Sequence, residues 1–214
     1  MNKLLVSDSV ILNSGEYNIK FDTKYSKINI NGEVILNIDN EIINKLDIIL
    51  NDNSSLELYK YNDCNSELIV NIYQVNNSKL EYNESIVNDF QNKLIINNYI
   101  KGDNNYSNIC IRNVCNKLDS EILINVNVDK NTINNVALED LKGINNGGFI
   151  HIEPNIICNS NEVSANHLTT IGRIDIDSIN YLLGKGININ NAKDILLKGF
   201  IFSNMNDYIK DIRR

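Results

Sequence analysis

A two-residue alternation of apolar and polar side chains recurs through most of this chain. From Ser9 to about Cys158, short apolar alternations return every 8 to 15 residues. The clearest examples are Ile28/Ile30, Val34/Leu36/Ile38, Leu68/Val70/Ile72 and Ile122/Ile124/Val126/Val128. Because a period of two marks a strand with one buried face, the pattern predicts a long series of short β-strands.

Polar segments of turn-forming residues separate these alternations, as at 51–55, 76–78 and 101–105. Asn and Ile dominate the composition. Ile favours strands, and Asn accepts the left-handed turn conformation. With one Pro and ten Gly in the chain, Asn is predicted to form many of the turns. No exact repeat can be aligned, so the spacing fits a β-sandwich or a parallel β-helix with imperfect turns, and spacing alone slightly favours the sandwich.

The pattern changes to helical spacing at Asp175. A first helix is predicted with Asp175 or Asp177 as its N-cap and Gly184 or Gly186 as its terminator. A second begins near Asn190 or Asn191, where Asp194 resembles the second half of a capping box. Its apolar positions are Ala192, Ile195, Leu196, Phe202, Met205, Ile209 and Ile212. The predicted layout is a β domain over residues 1–174 and two helices within 175–214, which would cover an open end of the β domain or bind a partner.

Composition and charge exclude several classes of protein. A formal net charge of −7 without a basic stripe excludes a typical nucleic-acid binder. The N-terminus has no extended apolar run, so neither a signal peptide nor a membrane anchor is expected. The cysteines are scattered without a CxxC pair, which disfavours a structural zinc site. A cytoplasmic protein with reduced thiols is therefore expected.

Motifs for common catalytic chemistry are also absent from the sequence. There is no GxxxxGK[ST] phosphate loop and no GxSxG nucleophile motif. A carbohydrate-active β-fold enzyme is a weaker alternative, because such enzymes usually have aromatic sugar platforms, whereas Trp is absent and aromatic residues are 7%. The sequence therefore does not indicate a stand-alone enzyme.

Residues 154–175 resemble the C-terminal signature of the SufB/SufD family of SUF iron–sulfur cluster assembly scaffolds. The matching positions are His167, Thr170, Gly172, Arg173, Ile174 and Asp175, followed by Tyr181-Leu182, Gly186-Ile187, Ala192 and Gly199-Phe200. A weaker similarity covers residues 131–152. SufB-type members flank the histidine with glutamates, whereas Asn166 and Leu168 stand here, which favours a SufD-like protein. Members are usually longer, so the resemblance is to a short form.

The resemblance implies a right-handed parallel β-helix followed by two C-terminal helices. It also implies a scaffold subunit that pairs with a SufB-like subunit or a second copy of itself, and that docks a SufC-like ABC-type ATPase. His167 would be the cluster-assembly histidine and an iron ligand for a transient iron–sulfur cluster, and this chain would bind no nucleotide. The expected ATPase-docking residues are Ile179, Tyr181, Leu182, Leu183, Ile195, Leu196, Phe200 and Phe202. A degenerate structural paralogue without the cluster site remains the alternative.

Four other residues have simpler interpretations. His151 should face solvent, opposite to Ile150 and Ile152 on an alternating strand. Cys158 is predicted to be a buried core thiol. Cys110 and Cys115 are five residues apart, so strand alternation places them on opposite faces and argues against a shared metal site.

Overall fold

A computed structural model describes residues 2–39 and 43–213, so residues 1, 40–42 and 214 of the predicted domain spans lie outside the described residues. Fifteen β-strands precede the helices in these ranges. They are β1 Asn2–Val6, β2 Ser9–Leu12, β3 Gly15–Phe21, β4 Tyr25–Ile30, β5 Glu33–Asp39, β6 Lys45–Leu50, β7 Ser55–Asn62, β8 Ser66–Gln74, β9 Lys79–Asn88, β10 Asn92–Ile100, β11 Tyr106–Cys115, β12 Ser120–Val128, β13 Asn135–Asn145, β14 Ile150–Cys158 and β15 Val163–Gly172.

Successive strands alternate between two parallel sheets. The odd-numbered strands form an eight-stranded sheet and the even-numbered strands a seven-stranded sheet, each in chain order. Each turn of the chain therefore adds one strand to each sheet, which is a β-solenoid consistent with a right-handed parallel β-helix. The prediction of a parallel β-helix is confirmed. The preference for a sandwich from spacing alone was wrong, because each strand pairs with the strand two places along the chain.

The turns of the solenoid lengthen along most of the chain. Asn2 pairs with Tyr17, fifteen residues further on. Ser55 pairs with Lys79, twenty-four residues further on. Tyr106 pairs with Val136, thirty residues further on. A repeat length that doubles along the chain explains why no sequence repeat of constant length can be aligned.

The core lies between the two sheets and is lined mainly by Ile, Leu and Val. Residues such as Ile28, Leu36, Ile72 and Ile124 are fully buried there. Burial of each such side chain contributes about 1.5–3 kcal/mol relative to exposure. The alternation visible in the sequence is thus the alternation between this interior and the outer faces of the sheets.

An ion pair also lies inside the solenoid. Lys60 of β7 and Glu84 of β9 are in register and both are buried. Lys60 Nζ lies 2.6 Å from Glu84 Oε1, and the Tyr82 hydroxyl donates a hydrogen bond to Glu84 Oε2 at 2.6 Å. Both charges and the phenol hydroxyl therefore have partners in the interior.

Asparagine stabilises the solenoid in two ways. Five Asn residues adopt positive φ, namely Asn53, Asn77, Asn104, Asn131 and Asn134, which confirms the prediction that Asn forms turns. On the outer face of the seven-stranded sheet, Asn97 donates to Asn71 and Asn125 donates to Asn97, each at 3.0 Å. Such stacked amides link successive turns as they do in cross-β assemblies.

Three α-helices follow the strands within the described residues: α1 Ile176–Gly184, α2 Ile189–Ile201 and α3 Asp207–Arg213, with a 3-10 turn at Phe202–Asn204. Asp175 caps α1, as predicted, by accepting from the backbone N–H of Ser178. The N-cap of α2 is Asn188, slightly earlier than predicted, and Asp194 forms no capping box with it. None of these helices is long and apolar enough to cross a bilayer.

The region predicted as one second helix is divided at Asn206. Its side-chain oxygen accepts from the backbone N–H of Ile209, which begins α3, and its amide donates to Asn37 on the outer face of β5 at 2.6 Å. Met205 before it is extended and buried. The helix therefore ends because this segment bonds to the sheet.

The last two helices pack on the side of the solenoid. Ile201, Met205 and Ile209 are buried against Tyr61 and Val114 of the eight-stranded sheet. Polar bonds reinforce this packing: the Ser85 hydroxyl donates to the carbonyl of Ile201 at 2.6 Å, and Arg213 Nε lies 2.7 Å from Asp39 Oδ1. The last two helices therefore cover the outer face of β5, β7, β9 and β11, and α1 packs on α2.

Candidate functional site

The last turn of the solenoid, formed by β14 and β15, leaves the C-terminal end of the interior open. In the described part of the chain, no strand pairs with the outer edge of either strand. The two strands are consequently more exposed than those before them. The turn also carries exposed apolar side chains at Phe149, Ile157, Leu168 and Ile171.

His167 lies in the middle of β15, in register with Glu139 of β13. Strand alternation continues the inward positions Ala137, Glu139 and Leu141 onto Ala165, His167 and Thr169, so His167 is on the inward face. It is exposed because no further turn of the described chain covers it. β15 continues beyond it to Gly172.

Glu139, immediately beneath His167, was not predicted as a functional residue. Its side chain faces the interior and the residue is only 3% exposed. Neither carboxylate oxygen has a hydrogen-bond partner among the described residues. Burial raises the pKa of Glu139 to about 7.

A sequence signal for Glu139 exists but is ambiguous. In Val136-Ala137-Leu138-Glu139-Asp140-Leu141, either set of alternate residues carries apolar side chains. Only the register of β13 with β11 and β15 shows that Glu139 shares the inward face with Ala137. The neighbouring Asp140 faces outward, where Arg112 Nη2 lies 2.6 Å from Asp140 Oδ2 and Lys142 Nζ lies 3.2 Å from Asp140 Oδ1.

Thr169 adds a further polar group to the inward face of β15. Its hydroxyl oxygen is buried without a hydrogen-bond partner. Thr169 is in register with Leu141, so it follows His167 on the same face, two residues along. The open end thus combines an exposed imidazole with a buried carboxylate and a buried hydroxyl that lack partners.

All four cysteines are free thiols. Cys110 pairs with outward-facing Asp140, whereas Cys115 is fully buried, as expected for residues on opposite faces. Cys158 is exposed. Its prediction as a buried thiol was wrong. It is in register with the buried Val128, but it ends β14 in the last turn, on which no further strand of the described chain packs.

The second histidine is on the outside of the same turn. His151 is exposed while Ile150 is buried, as the alternation predicted. Its Nε2 lies 3.4 Å from Glu153 Oε2, and both side chains are about half exposed. Among the described residues, no three His, Cys, Asp or Glu side chains form a group that could hold a metal ion.

The expected docking residues separate into three groups. Ile179 is buried, and Phe200 and Phe202 pack against the cluster under α2 and α3, where Phe202 stacks on Tyr61 with ring centroids 6.0 Å apart. Leu182 and Leu196 are half-buried. Tyr181, Leu183 and Ile195 are exposed on α1 and α2. Within the predicted set, these three are free to contact a partner.

The architecture defines a parallel β-solenoid whose flank is covered by C-terminal helices and whose open end carries a histidine above a buried carboxylate. Residues 144–200 match the family model described as "SUF system FeS cluster assembly, SufBD core domain". The match covers just over a quarter of the chain, from the end of β13 through most of α2. It includes His167 and supports membership of the SufB/SufD family, with a role in SUF iron–sulfur cluster assembly. No curated protein matches the chain.

Proposed function

We propose that this chain is a SufD-like scaffold subunit of the SUF complex that contributes His167 to a transient iron–sulfur cluster. The observation that carries the proposal is the position of His167, which is exposed on the inward face of the last turn within the segment that matches the family model. Neutral imidazole ligates iron near pH 7. A single histidine does not hold a cluster, so the other ligands come from a partner subunit or a transient thiolate. The chain works in the cytoplasm and binds no nucleotide itself.

The partner is a SufB-like subunit or a second copy of this chain, joined at the C-terminal turn. Unpaired outer edges at β14 and β15 offer backbone donors and acceptors to another strand. Exposed Phe149, Leu168 and Ile171 supply apolar contact area beside these edges. Pairing at this end would enclose His167 between the two subunits.

His167→Ala is expected to leave the fold intact and to reduce cluster formation sharply. The side chain is exposed, so its removal creates no core cavity, but it removes the proposed iron ligand. The measurement is anaerobic reconstitution of the assembled complex, followed by visible absorption and by iron and sulfide analysis. His151→Ala is the control, since it removes the other histidine of the same turn. If His167→Ala assembles clusters as well as wild type, the chain is a structural paralogue and the chemistry lies on its partner.

A SufC-like ABC-type ATPase is proposed to dock on the exposed side chains of α1 and α2. Tyr181→Ala combined with Ile195→Ala is expected to weaken this binding at least tenfold, because truncated aromatic and apolar anchors often cost about 2 kcal/mol each. Titration of the purified ATPase onto each variant measures the change. Ile11→Ala, at an equally exposed position in β2, is the control. Unchanged affinity in the double variant would place the docking surface elsewhere.

Deletion of all residues after Asp175 is a poorer test of docking. It would remove Ile201, Met205 and Ile209, which cover Tyr61 and Val114 of the β-solenoid. Such a truncation would therefore expose part of the β domain as well as remove the helices. Point substitutions at exposed residues separate docking from folding.

A further inference from the structure

Glu139 is a buried carboxylate that no group in the described structure balances. Its two oxygens lack hydrogen-bond partners, although the residue is 3% exposed. Buried carboxylates are normally paired, hydrogen-bonded or bound to a metal. Glu84, in the same interior, follows this rule through Lys60 and Tyr82. Glu139 therefore differs from the other charged groups that the interior contains.

Two cationic side chains on β11 and β13 do not face Glu139. Arg112 and Lys142 lie on the outward face of the same sheet, where both bind Asp140. The residues flanking Glu139 on the inward face, Ala137 and Leu141, are fully buried and apolar. Neither cation therefore reaches the inward face on which Glu139 lies.

His167 occupies that neighbouring strand at the matching position. Paired residues of adjacent parallel strands lie about 4.8 Å apart and direct their side chains the same way. His167 is exposed at the open end, whereas Glu139 is buried one strand deeper. An ion that enters from solvent would thus meet the imidazole first and the carboxylate directly behind it.

We propose that the Glu139 carboxylate and the His167 imidazole together bind one divalent first-row transition-metal ion in the open end of the solenoid. One oxygen and one nitrogen donor suit Mn²⁺, Fe²⁺, Co²⁺ and Zn²⁺. Water, or donors of a partner subunit, complete the coordination. The assignment of the ion as ferrous iron in the working complex rests on the proposed function, whereas the site itself rests only on Glu139 and His167.

The surface pair His151–Glu153 provides a matched control within the same turn of the solenoid. It has the same two donor types, 3.4 Å apart, but both side chains are exposed and face away from the interior. A metal that merely needs one histidine and one carboxylate would bind there as well. The proposal requires that metal affinity depends on the buried carboxylate of Glu139 and not on the exposed carboxylate of Glu153.

The test is calorimetric titration of the full-length chain with Co²⁺ under anaerobic, reducing conditions. The variants are Glu139→Gln, His167→Ala, Glu153→Gln and His151→Ala, each in a Cys158→Ser background that removes the exposed thiol of this turn. Far-UV circular dichroism checks that each variant is folded. Wild type is expected to bind one Co²⁺ per chain. Glu139→Gln and His167→Ala should each weaken Co²⁺ binding on the order of 10- to 100-fold. Losses of this size follow even when the mutated residue only hydrogen-bonds to a metal ligand.

Three results would overturn the proposal. They are unchanged affinity in Glu139→Gln, loss of affinity in the His151 or Glu153 variants instead, and absence of Co²⁺ binding in wild type. Unchanged affinity in both outer variants supports it. Because the chain alone is titrated, this result is independent of ATPase docking and cluster assembly, which test the proposed function by other measurements.

Discussion

Lys60→Met is expected to destabilise the protein by about 3–5 kcal/mol, the cost of leaving one charge of a buried ion pair without its partner. Lys60 and Glu84 are buried in register inside the solenoid, with Lys60 Nζ 2.6 Å from Glu84 Oε1. After substitution, only the Tyr82 hydroxyl would remain bonded to the Glu84 carboxylate. Chemical denaturation at pH 7 measures the loss of free energy of unfolding.

Two comparisons separate two contributions to the free energy of unfolding. One is the cost of leaving Glu84 buried without its partner, and the other is the net stabilisation by the ion pair. Adding Glu84→Leu to Lys60→Met should recover most of the loss, because apolar replacements of buried ion pairs are often neutral or stabilising. Lys93→Met is the exposed counterpart, since Lys93 and Glu121 are also in register, 3.0 Å apart, but on the outer face. It should cost less than about 1 kcal/mol. Equal losses at Lys60 and Lys93 would contradict this account.

Much of the fold was predictable because period-two alternation reports directly which side of a strand is buried. Ile28, Leu36 and Ile124 lie inside as their pattern indicates. The pairing of strands was not predictable from spacing, because alternation specifies a face and not a neighbour. The lengthening turns also hide the repeat, so the resemblance around His167 was needed to choose the β-helix.

The polar residues inside the solenoid were not predicted, because their pairing also depends on which strands are neighbours. Lys60 follows Leu56 and Leu58 at the same period, yet a lysine or glutamate at such a position usually marks the end of the buried face. Its partner Glu84 lies twenty-four residues away and meets it only through the register of β7 and β9. Non-local pairing of this kind leaves no local signal.

The candidate site was predicted in part. Resemblance identified His167, and the structure brings Glu139 beneath it, whereas Cys158 is exposed at the end of β14. The C-terminal helices were predicted from their 3.6-residue spacing, but spacing did not indicate which apolar residues the protein uses itself. Phe200 and Phe202 pack against its own sheet, while Tyr181 and Ile195 stay exposed.

Glu139→Gln is expected to remove a stability loss that wild type suffers as the pH rises. In the folded protein, burial raises the pKa of Glu139 from 4.5 to about 7. The folded state therefore keeps a proton that the unfolded state has released, so the stability that Glu139 contributes is full below pH 4.5. It falls as the pH rises towards about 7 and stays reduced above.

The size of the effect follows from the pKa difference. Each pKa unit corresponds to about 1.4 kcal/mol, so the stability of Glu139→Gln relative to wild type should increase by about 3 kcal/mol between pH 4 and pH 8. Denaturation at a series of pH values, with a chelator present, measures the difference. Glu121→Gln, at a partly exposed position on the outer face, is the control substitution.

The interpretation of this pH profile depends on the titratable side chains that face Glu139. On the inward faces of the last turn, the titratable side chains are His167 of β15 and Cys158 of β14. If burial alone raises the pKa of Glu139, the profile should persist in a His167→Ala background. A profile that disappears there would mean that the imidazole, and not the apolar interior, controls the carboxylate. A flat difference in the wild-type background would show that Glu139 is solvated in the folded protein.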